Sequence, residues 1–317
     1  MSYTRIVSDW LASIPSDPWP VFLPLVGTIL VAVLYWRGAR YGGRTGIGRR
    51  ITALHAVSFY AGLILLLLAV ASPLDTLSDE GLAAHMVQHE IIVLIAPPLL
   101  LLGMPIWPLW RALPVNWRRS SLRWLMRRHW VLQVMEGIGR VLGNAPASWC
   151  LFIGVFLVWH IPVLYDAALE NGAVHAFEHA TFLLTALVFW AHVVPSFPIQ
   201  PKLSYLRRAG YVFAAAVVLH LQSIYIAVAV QPIYPFYGAG SDVIANQTAG
   251  GAIMDVSGEI VFTIAILMCV WLWLRDDERS ARLRAEGVPP EPEASMSARG
   301  ALLIAEADFA ETDSQAP

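Results

Sequence analysis

Apolar residues gather into seven long stretches, at roughly 20–36, 51–71, 82–106, 143–162, 174–194, 209–230 and 252–274, separated by short polar segments. A helix that crosses a bilayer needs about 20 mainly apolar residues, and all but the first, shorter stretch come near that length. None shows the every-second-residue alternation of a transmembrane barrel strand. The backbone polar groups must then be satisfied within helices. The pattern predicts an all-α, polytopic membrane protein built as a bundle of seven transmembrane helices. It divides the chain into an N-terminal segment at 1–19, a membrane domain at 20–274 and a charged tail at 275–317. Between the third and fourth stretches, residues 118–142 mix arginines with Trp124, Leu125, Met126, Trp130, Val131 and Leu132. That mixture fits an amphipathic helix lying in the interface or a solvated loop with tryptophan anchors. The tail, with "EGVPPEPEASMSARG", has the composition of a disordered segment.

Composition agrees with a membrane protein: 57% of residues are hydrophobic and 14% charged, and the mean hydropathy is +0.59. A soluble domain carries nearer a quarter charged residues. The first twenty residues lack the apolar core and small-residue cleavage site of a secretion signal, so the first stretch is expected to stay as a membrane helix. Of the 21 lysines and arginines, only Arg5 falls on one side of the predicted membrane. The rest crowd the 37–50, 111–130 and 202–208 loops, Arg140 and the tail. The positive-inside rule then places the N-terminus outside (periplasmic) and the C-terminus in the cytoplasm. Basic residues spread over several loops give no footprint for nucleic acid. Cys150 and Cys269 are too few for a disulfide framework or a thiolate metal cluster. No internal or inverted repeat stands out, which weighs against a repeat-built transporter.

The nine histidines are where chemistry concentrates. "AAHMVQHE" sets His85 and His89 four apart at the outer end of the third stretch, and His175 and His179 repeat that spacing at the outer end of the fifth. Residues i and i+4 share a helix face with Cβ atoms about 5–6 Å apart, so one metal ion can take both members of a pair. His160 ends the fourth stretch at the same depth, and Glu178 shares the face of the second pair. A lone interfacial histidine is ordinarily a hydrogen-bonded belt residue. Two pairs at one depth on two helices point instead to a metal site, because ionisable groups are costly in a membrane and tend to mark function. Imidazole suits copper and zinc. Asp255 lies about one turn into the seventh stretch and could complete the set. Met86 and Met254 are soft donors suited to reduced copper, though packing explains them as well. Asp75 reads as a helix cap, Cys150 and Cys269 as packing residues, and His55, His192 and His220 stay unassigned.

Three segments carry a resemblance. "SPLDTLSDEGLAAHMVQHEIIVLIAPPLLLLGMP" (72–105), "WHIPVLYDAALENGAVHAFEHATFLLTALVFW" (159–190) and "YPFYG…NQTAGGAIM" (234–254) are similar to the seven-helix CtaG family, in the family's order. That family comprises bacterial membrane proteins linked to cytochrome c oxidase assembly and copper delivery. The resemblance implies that the family's histidine pairs correspond to His85, His89, His175 and His179, and its Trp-His-x-Pro element to Trp159, His160 and Pro162. The chain departs from the pattern where Asn246-Gln247 stands for Asp-Gln and Met254-Asp255 for Met-Trp. Glu90 also stands at a usually apolar position.

The resulting expectation is a non-enzymatic, copper-binding assembly factor of the bacterial inner (cytoplasmic) membrane. It would carry copper on His85, His89, His160, His175, His179 and Asp255 and pass it to subunits of cytochrome c oxidase. Its partners would be those subunits and the lipid bilayer, with self-association left open. Two alternatives stand beside it. A b-type cytochrome would use His179 and His192, thirteen apart on one helix, with His89 and His55 as haem ligands. A seven-helix zinc hydrolase would recruit Ser72, Asp75 and Glu178 around a zinc ion.

Overall fold

The computed structural model of the protein describes residues 19–45 and 51–286. The described chain is helical: α1 Trp19–Thr45, α2 Ala53–Val70, α3 Pro73–Glu80, α4 Leu82–Glu90, a π turn Ile91–Ile95, α5 Ala96–Leu102, α6 Ile106–Ala112 and α7 Val115–Met126. There follow α8 His129–Leu142, α9 Ala145–Trp159, α10 Pro162–Glu170, α11 Gly172–Ala191, α12 Tyr205–Val228, a 3-10 turn Pro235–Tyr237 and α13 Ser241–Ala285. No β-strand occurs among the described residues, as the absence of alternation predicts.

Six helical segments are long and apolar enough to cross a bilayer: Phe22–Arg40, Ala53–Val70, Leu82–Leu102, Gly172–Ala191, Tyr205–Val228 and Ser241–Ala285. The fourth expected segment differs. Its helix α9 has only 15 residues and meets α8 at a bend of 81°, so the count reaches seven only when that bent pair is taken as one span. Fifteen residues rise about 22 Å, short of a hydrocarbon core of about 30 Å. Asn144 caps α9 through the Ala147 N–H, and Pro146 sits in its first turn, where a missing N–H costs nothing. The amphipathic stretch is two helices, α7 and α8, and Trp117, Trp124 and Trp130 on them are all exposed. The last helix continues to Ala285, eleven residues beyond the expected boundary. Glu278 and Arg282, one turn apart, are the kind of i,i+4 pair that supports such a charged extension. The expected N-terminal segment up to residue 18 and the tail beyond 286 lie outside the described residues.

Leu82–Leu102 forms the centre of the bundle, 67% buried where no other spanning window exceeds 28%. α13 packs along α12 and α4, α2 packs against α5, and α9 against α11. Close approach explains "AGGA": a Cβ on Gly251 would sit 2.6 Å from the Ala227 backbone nitrogen, so only glycine lets α13 meet α12 there.

The prolines leave a local signature in the central helix. Pro97 has no N–H for the Val93 carbonyl four residues earlier. The indole of Trp190 on α11 supplies the missing donor, reaching the Val93 oxygen at 3.1 Å in the buried core. Just upstream, the Ala96 N–H bonds Ile91, five residues back, which is the wide turn characteristic of π geometry. This one-residue adjustment follows directly after His89 and Glu90.

Candidate metal centre

Two helices present matching stripes to each other. On α4, Leu82, His85, Met86 and His89 occupy the i, i+3, i+4, i+7 positions of one face, and all are buried. On α11, His175, Glu178, His179 and Phe182 occupy the same positions of the facing side. The ends of these helices are fixed by polar side chains of other elements. Asn246 on α13 accepts a hydrogen bond from the Ala83 N–H and thus caps the helix that carries His85 and His89. A Cβ on Gly81 would come within 2.9 Å of that asparagine's amide, so a larger residue would have to shift the cap. Asn171 caps α11 by accepting from the N–H groups of Ala173 and Val174. Gln247 takes the Ile233 N–H on its Oε1 and points its amide nitrogen at carbonyls of Ile226, Ala229 and Gln231. It thereby positions the loop that brings Tyr234 and Tyr237 onto the cluster.

The four paired histidines converge. One ring nitrogen from each of His85, His89, His175 and His179 can be chosen so that all lie within 4.8 Å of one another. His85 Nε2 and His89 Nε2 are 2.8 Å apart. Ring centroids are 5.1 Å apart for His85 and His175, 5.5 Å for His89 and His179, and 4.2 Å for His175 and His179. Nitrogens bound to one four-coordinate ion at about 2.0–2.1 Å stand about 3–3.4 Å from each other. The cluster brackets that spacing, and small side-chain rotations would close it.

Buried polar atoms without partners mark the same place. The Nε2 atoms of His160, His175 and His179, the Nδ1 of His89 and both carboxylate oxygens of Glu178 have no hydrogen-bond partner. Glu178 is fully buried, with His89 Nε2 at 3.7 Å as its nearest charge-capable neighbour. A carboxylate and several imidazole lone pairs hidden from water are costly unless a cation joins them.

Second contacts set which ring nitrogen is free. Tyr237 donates its hydroxyl proton to the Ser78 carbonyl at 2.9 Å, leaving its oxygen to accept from His85 Nδ1 at 3.3 Å. His85 Nε2 then carries the lone pair, the tautomer a metal needs. Tyr165 packs against Tyr234 at a tilt of 30°, reaches the Tyr237 hydroxyl at 3.1 Å and covers the His85 ring.

His160 sits just after α9 with its ring 6.4 Å from His89. Its Nδ1 donates to the Phe156 carbonyl at 2.7 Å, which leaves Nε2 bare and ligand-ready. The Trp159 indole bonds Thr181 at 2.9 Å and ties this corner to α11. His160 is thus adjacent to the four-histidine group and outside its tightest circle.

Asp255 does not complete this set. Its Oδ1 accepts instead from His220 Nδ1 at 2.6 Å and Ser223 Oγ at 2.9 Å. Met254 fills the core-facing position of α13, and the next residue is rotated about 100° away from it around the helix. Met86 and Met254 both lie in the hydrophobic core. His55 forms a capping box with Thr52 at the start of α2, and His192 is bonded to the Leu142 carbonyl and Ser148. Asp75 accepts from Gln88, which also bonds the Ala69 carbonyl, so Asp75 anchors α3 to α4 instead of serving the cluster. Cys150 is exposed and Cys269 is buried away from the histidines. Sequence reasoning did not find Tyr165 and Tyr237, whose only signal was their place in the quoted segments.

Fold and site together define a polytopic helical membrane protein whose core gathers four histidines and an enclosed glutamate in an arrangement able to hold a metal ion. The family of cytochrome c oxidase caa3 assembly factors (Caa3_CtaG) matches residues 33–276, and the chain belongs to it. Similar proteins include the uncharacterized protein ML1998 of Mycobacterium leprae, 25% identical over 272 residues that make up 77% of this chain and 37% of that one. The uncharacterized protein Mb0105 of Mycobacterium bovis is 24% identical over 293 residues, 82% of this chain and 40% of its own. MT0111 of Mycobacterium tuberculosis, also uncharacterized, gives the same figures. The chain therefore spans about two-fifths of the length of the curated relatives it matches. No solved structure matches it.

Proposed function

We propose that this assembly factor binds copper at the α4–α11 cluster and delivers it to cytochrome c oxidase during maturation. In this reading His85, His89, His175 and His179 are the ligands, His160 is a fifth donor for exchange, and Glu178 balances the charge. The protein does no chemistry on its cargo. It sits in the bacterial cytoplasmic membrane with seven crossings, the bent α8–α9 pair counted as one. The N-terminus and the cluster lie on the outer side, as the arginine distribution suggests.

The observation that carries the proposal is the convergence of four imidazoles beside a fully buried carboxylate with no hydrogen-bond partner. An all-nitrogen set with a weakly placed carboxylate suits copper, which imidazole binds well. The two alternatives find their residues committed elsewhere. His55 and His192, needed as haem ligands, serve as a cap and as an anchor between helices. Ser72 and Asp75, needed by a hydrolase, cap α3 and join it to α4.

The test is copper content, with an optical spectrum, of detergent-purified protein loaded with copper and then desalted. Wild type should retain copper and show no Soret band, and His85→Ala/His89→Ala should lose it. Cells carrying the double variant should accumulate oxidase lacking copper. Equal copper retention by the two proteins would sink the proposal.

A further inference from the structure

A second group of titratable side chains lies on a different face of the bundle. His220 on α12 and Asp255 and Glu259 on α13 place one ligand atom each within 4.8 Å of one another. His220 Nδ1 is 2.6 Å from Asp255 Oδ1 and 3.5 Å from Glu259 Oε1. The buried Ser223 hydroxyl lies 2.9 Å from Asp255 Oδ1 and 2.8 Å from the His220 carbonyl, and shares its one proton between them. The two acids are one helical turn apart, so both point to the same side of α13 and repel each other unless something neutralises them.

Their surroundings make the group expensive. The side chains of His220, Asp255 and Glu259 are 41%, 28% and 63% exposed. Val217, Leu221, Val256 and Ile260, their neighbours along the two helices, are exposed and apolar, which is what a lipid-facing surface carries. His220 lies eight residues before Val228, the end of α12, and hence about 12 Å inside that helix. Arg208 is twelve residues away in the other direction, about 18 Å. The group therefore sits in the middle of a span, where two carboxylates facing hydrocarbon need a counter-charge.

The geometry points to a second metal site, a divalent-cation site on the α12–α13 face held by His220 Nδ1 and the carboxylates of Asp255 and Glu259. Two carboxylates and a neutral imidazole carry a charge of −2, which one divalent ion cancels. The ion takes the place of the Nδ1 proton that His220 donates to Asp255, and the neutral imidazole then carries its single proton on Nε2 instead. Ser223 plays the part of an outer hydrogen-bond donor that orients a ligating carboxylate. The donor set differs in kind from the first cluster. One nitrogen and two carboxylates accept the harder manganese as well as borderline zinc, and four imidazoles do not favour manganese.

The test counts metal in three full-length, detergent-purified proteins equilibrated with zinc and then desalted. Wild type should retain two zinc ions, Asp255→Asn/Glu259→Gln one, and His85→Ala/His89→Ala one. The Asn and Gln replacements keep side-chain size and remove charge from a lipid-facing surface, so folding should survive, which size-exclusion elution checks. Manganese, read by the loss of its free-ion paramagnetic resonance signal, should bind wild type and the His85→Ala/His89→Ala protein and not the Asp255→Asn/Glu259→Gln protein. One zinc in wild type, kept by the carboxylate variant and lost by the histidine variant, overturns this inference and leaves the copper proposal standing. One zinc lost only by the carboxylate variant supports this inference and leaves the copper proposal to its own copper measurement.

Discussion

Glu178→Gln isolates the electrostatic part of the proposed copper site. The substitution keeps the volume and the hydrogen-bonding shape of a residue that is fully buried and has no hydrogen-bond partner on either oxygen. What it removes is the negative charge of the carboxylate beside His89. His89 Nε2 is 3.7 Å from Glu178 Oε1. An ion about 2 Å from that nitrogen would then stand no more than about 6 Å from the carboxylate. At an effective dielectric constant of about 20, one unit charge at that distance is worth about 3 kcal/mol, on the order of 100-fold in affinity. A divalent ion would feel twice that. Competition against a chromophoric copper chelator reads the change directly. Metal-free Glu178→Gln should unfold no more easily than wild type, because an uncompensated buried carboxylate has been neutralised. Affinity within threefold of wild type would refute the placement of Glu178 as the counter-charge, whatever the histidines do.

Three other perturbations test different layers. Tyr237→Phe removes the acceptor that holds the proton on His85 Nδ1, and copper affinity in the same chelator assay should fall about 10- to 100-fold with the fold intact. An unchanged affinity would show that the tautomer is set elsewhere. Trp190→Phe strands the Val93 carbonyl that Pro97 leaves without a backbone donor, at a cost of about 1–3 kcal/mol in detergent unfolding. The double variant Trp190→Phe/Pro97→Ala should recover part of that loss, and additive losses would contradict the compensation. Burial pushes the Asp75 carboxyl up to about 6, opposed by the Gln88 hydrogen bond and helped by Asp79. The folded state therefore holds that proton more tightly than the unfolded one. The stabilisation is fully present below about pH 4 and is lost as pH rises through about 6, by at most about 3 kcal/mol. Wild-type melting temperature should fall over that window and the fall should flatten in Asp75→Asn, whereas parallel profiles would show that another group titrates.

Positions fixed within one helix were legible in the sequence, and azimuths between helices were not. His85/His89 and His175/His179 could be paired because a four-residue spacing has one meaning on a helix. Their depth followed from the apolar boundaries, so their convergence was an expectation with physical content. Asp255 shows the limit. Depth alone put it with the outer histidines, but one residue turns a helix by about 100°. Met254 takes the core-facing position, and Asp255 meets His220 thirty-five residues away. Tyr237 was invisible for a related reason, since it reaches His85 only through a loop that Gln247 organises. The π turn also lay beyond pattern reading. The prolines announced a disturbed backbone, yet which carbonyl needed help, and that Trp190 would supply it, depended on the packing of α11 against the centre.

The elements that hold the cluster also bear on how a cargo could leave it. A carrier must bind firmly and still exchange, and a site sealed by core helices alone would only bind. Here the helices α4 and α11 carry the four paired histidines, while the covering residue Tyr237 belongs to a three-residue 3-10 turn. Directly above it lies a cavity of about 260 Å³ lined by Glu80, Asp242, Asn246, Gln247 and Tyr237 itself. The same tyrosine thus touches His85 on one side and the cavity on the other. Displacing its turn would open the Tyr237 side of His85 toward that cavity, with Tyr165 still against the ring, and the two acids lining it would favour passage of a cation. His160, bare at Nε2 and outside the tightest circle, is placed to take a ligand position during such an exchange. In the proposed carrier the helices would set affinity and the short turn access, so each could be altered by substitution without the other.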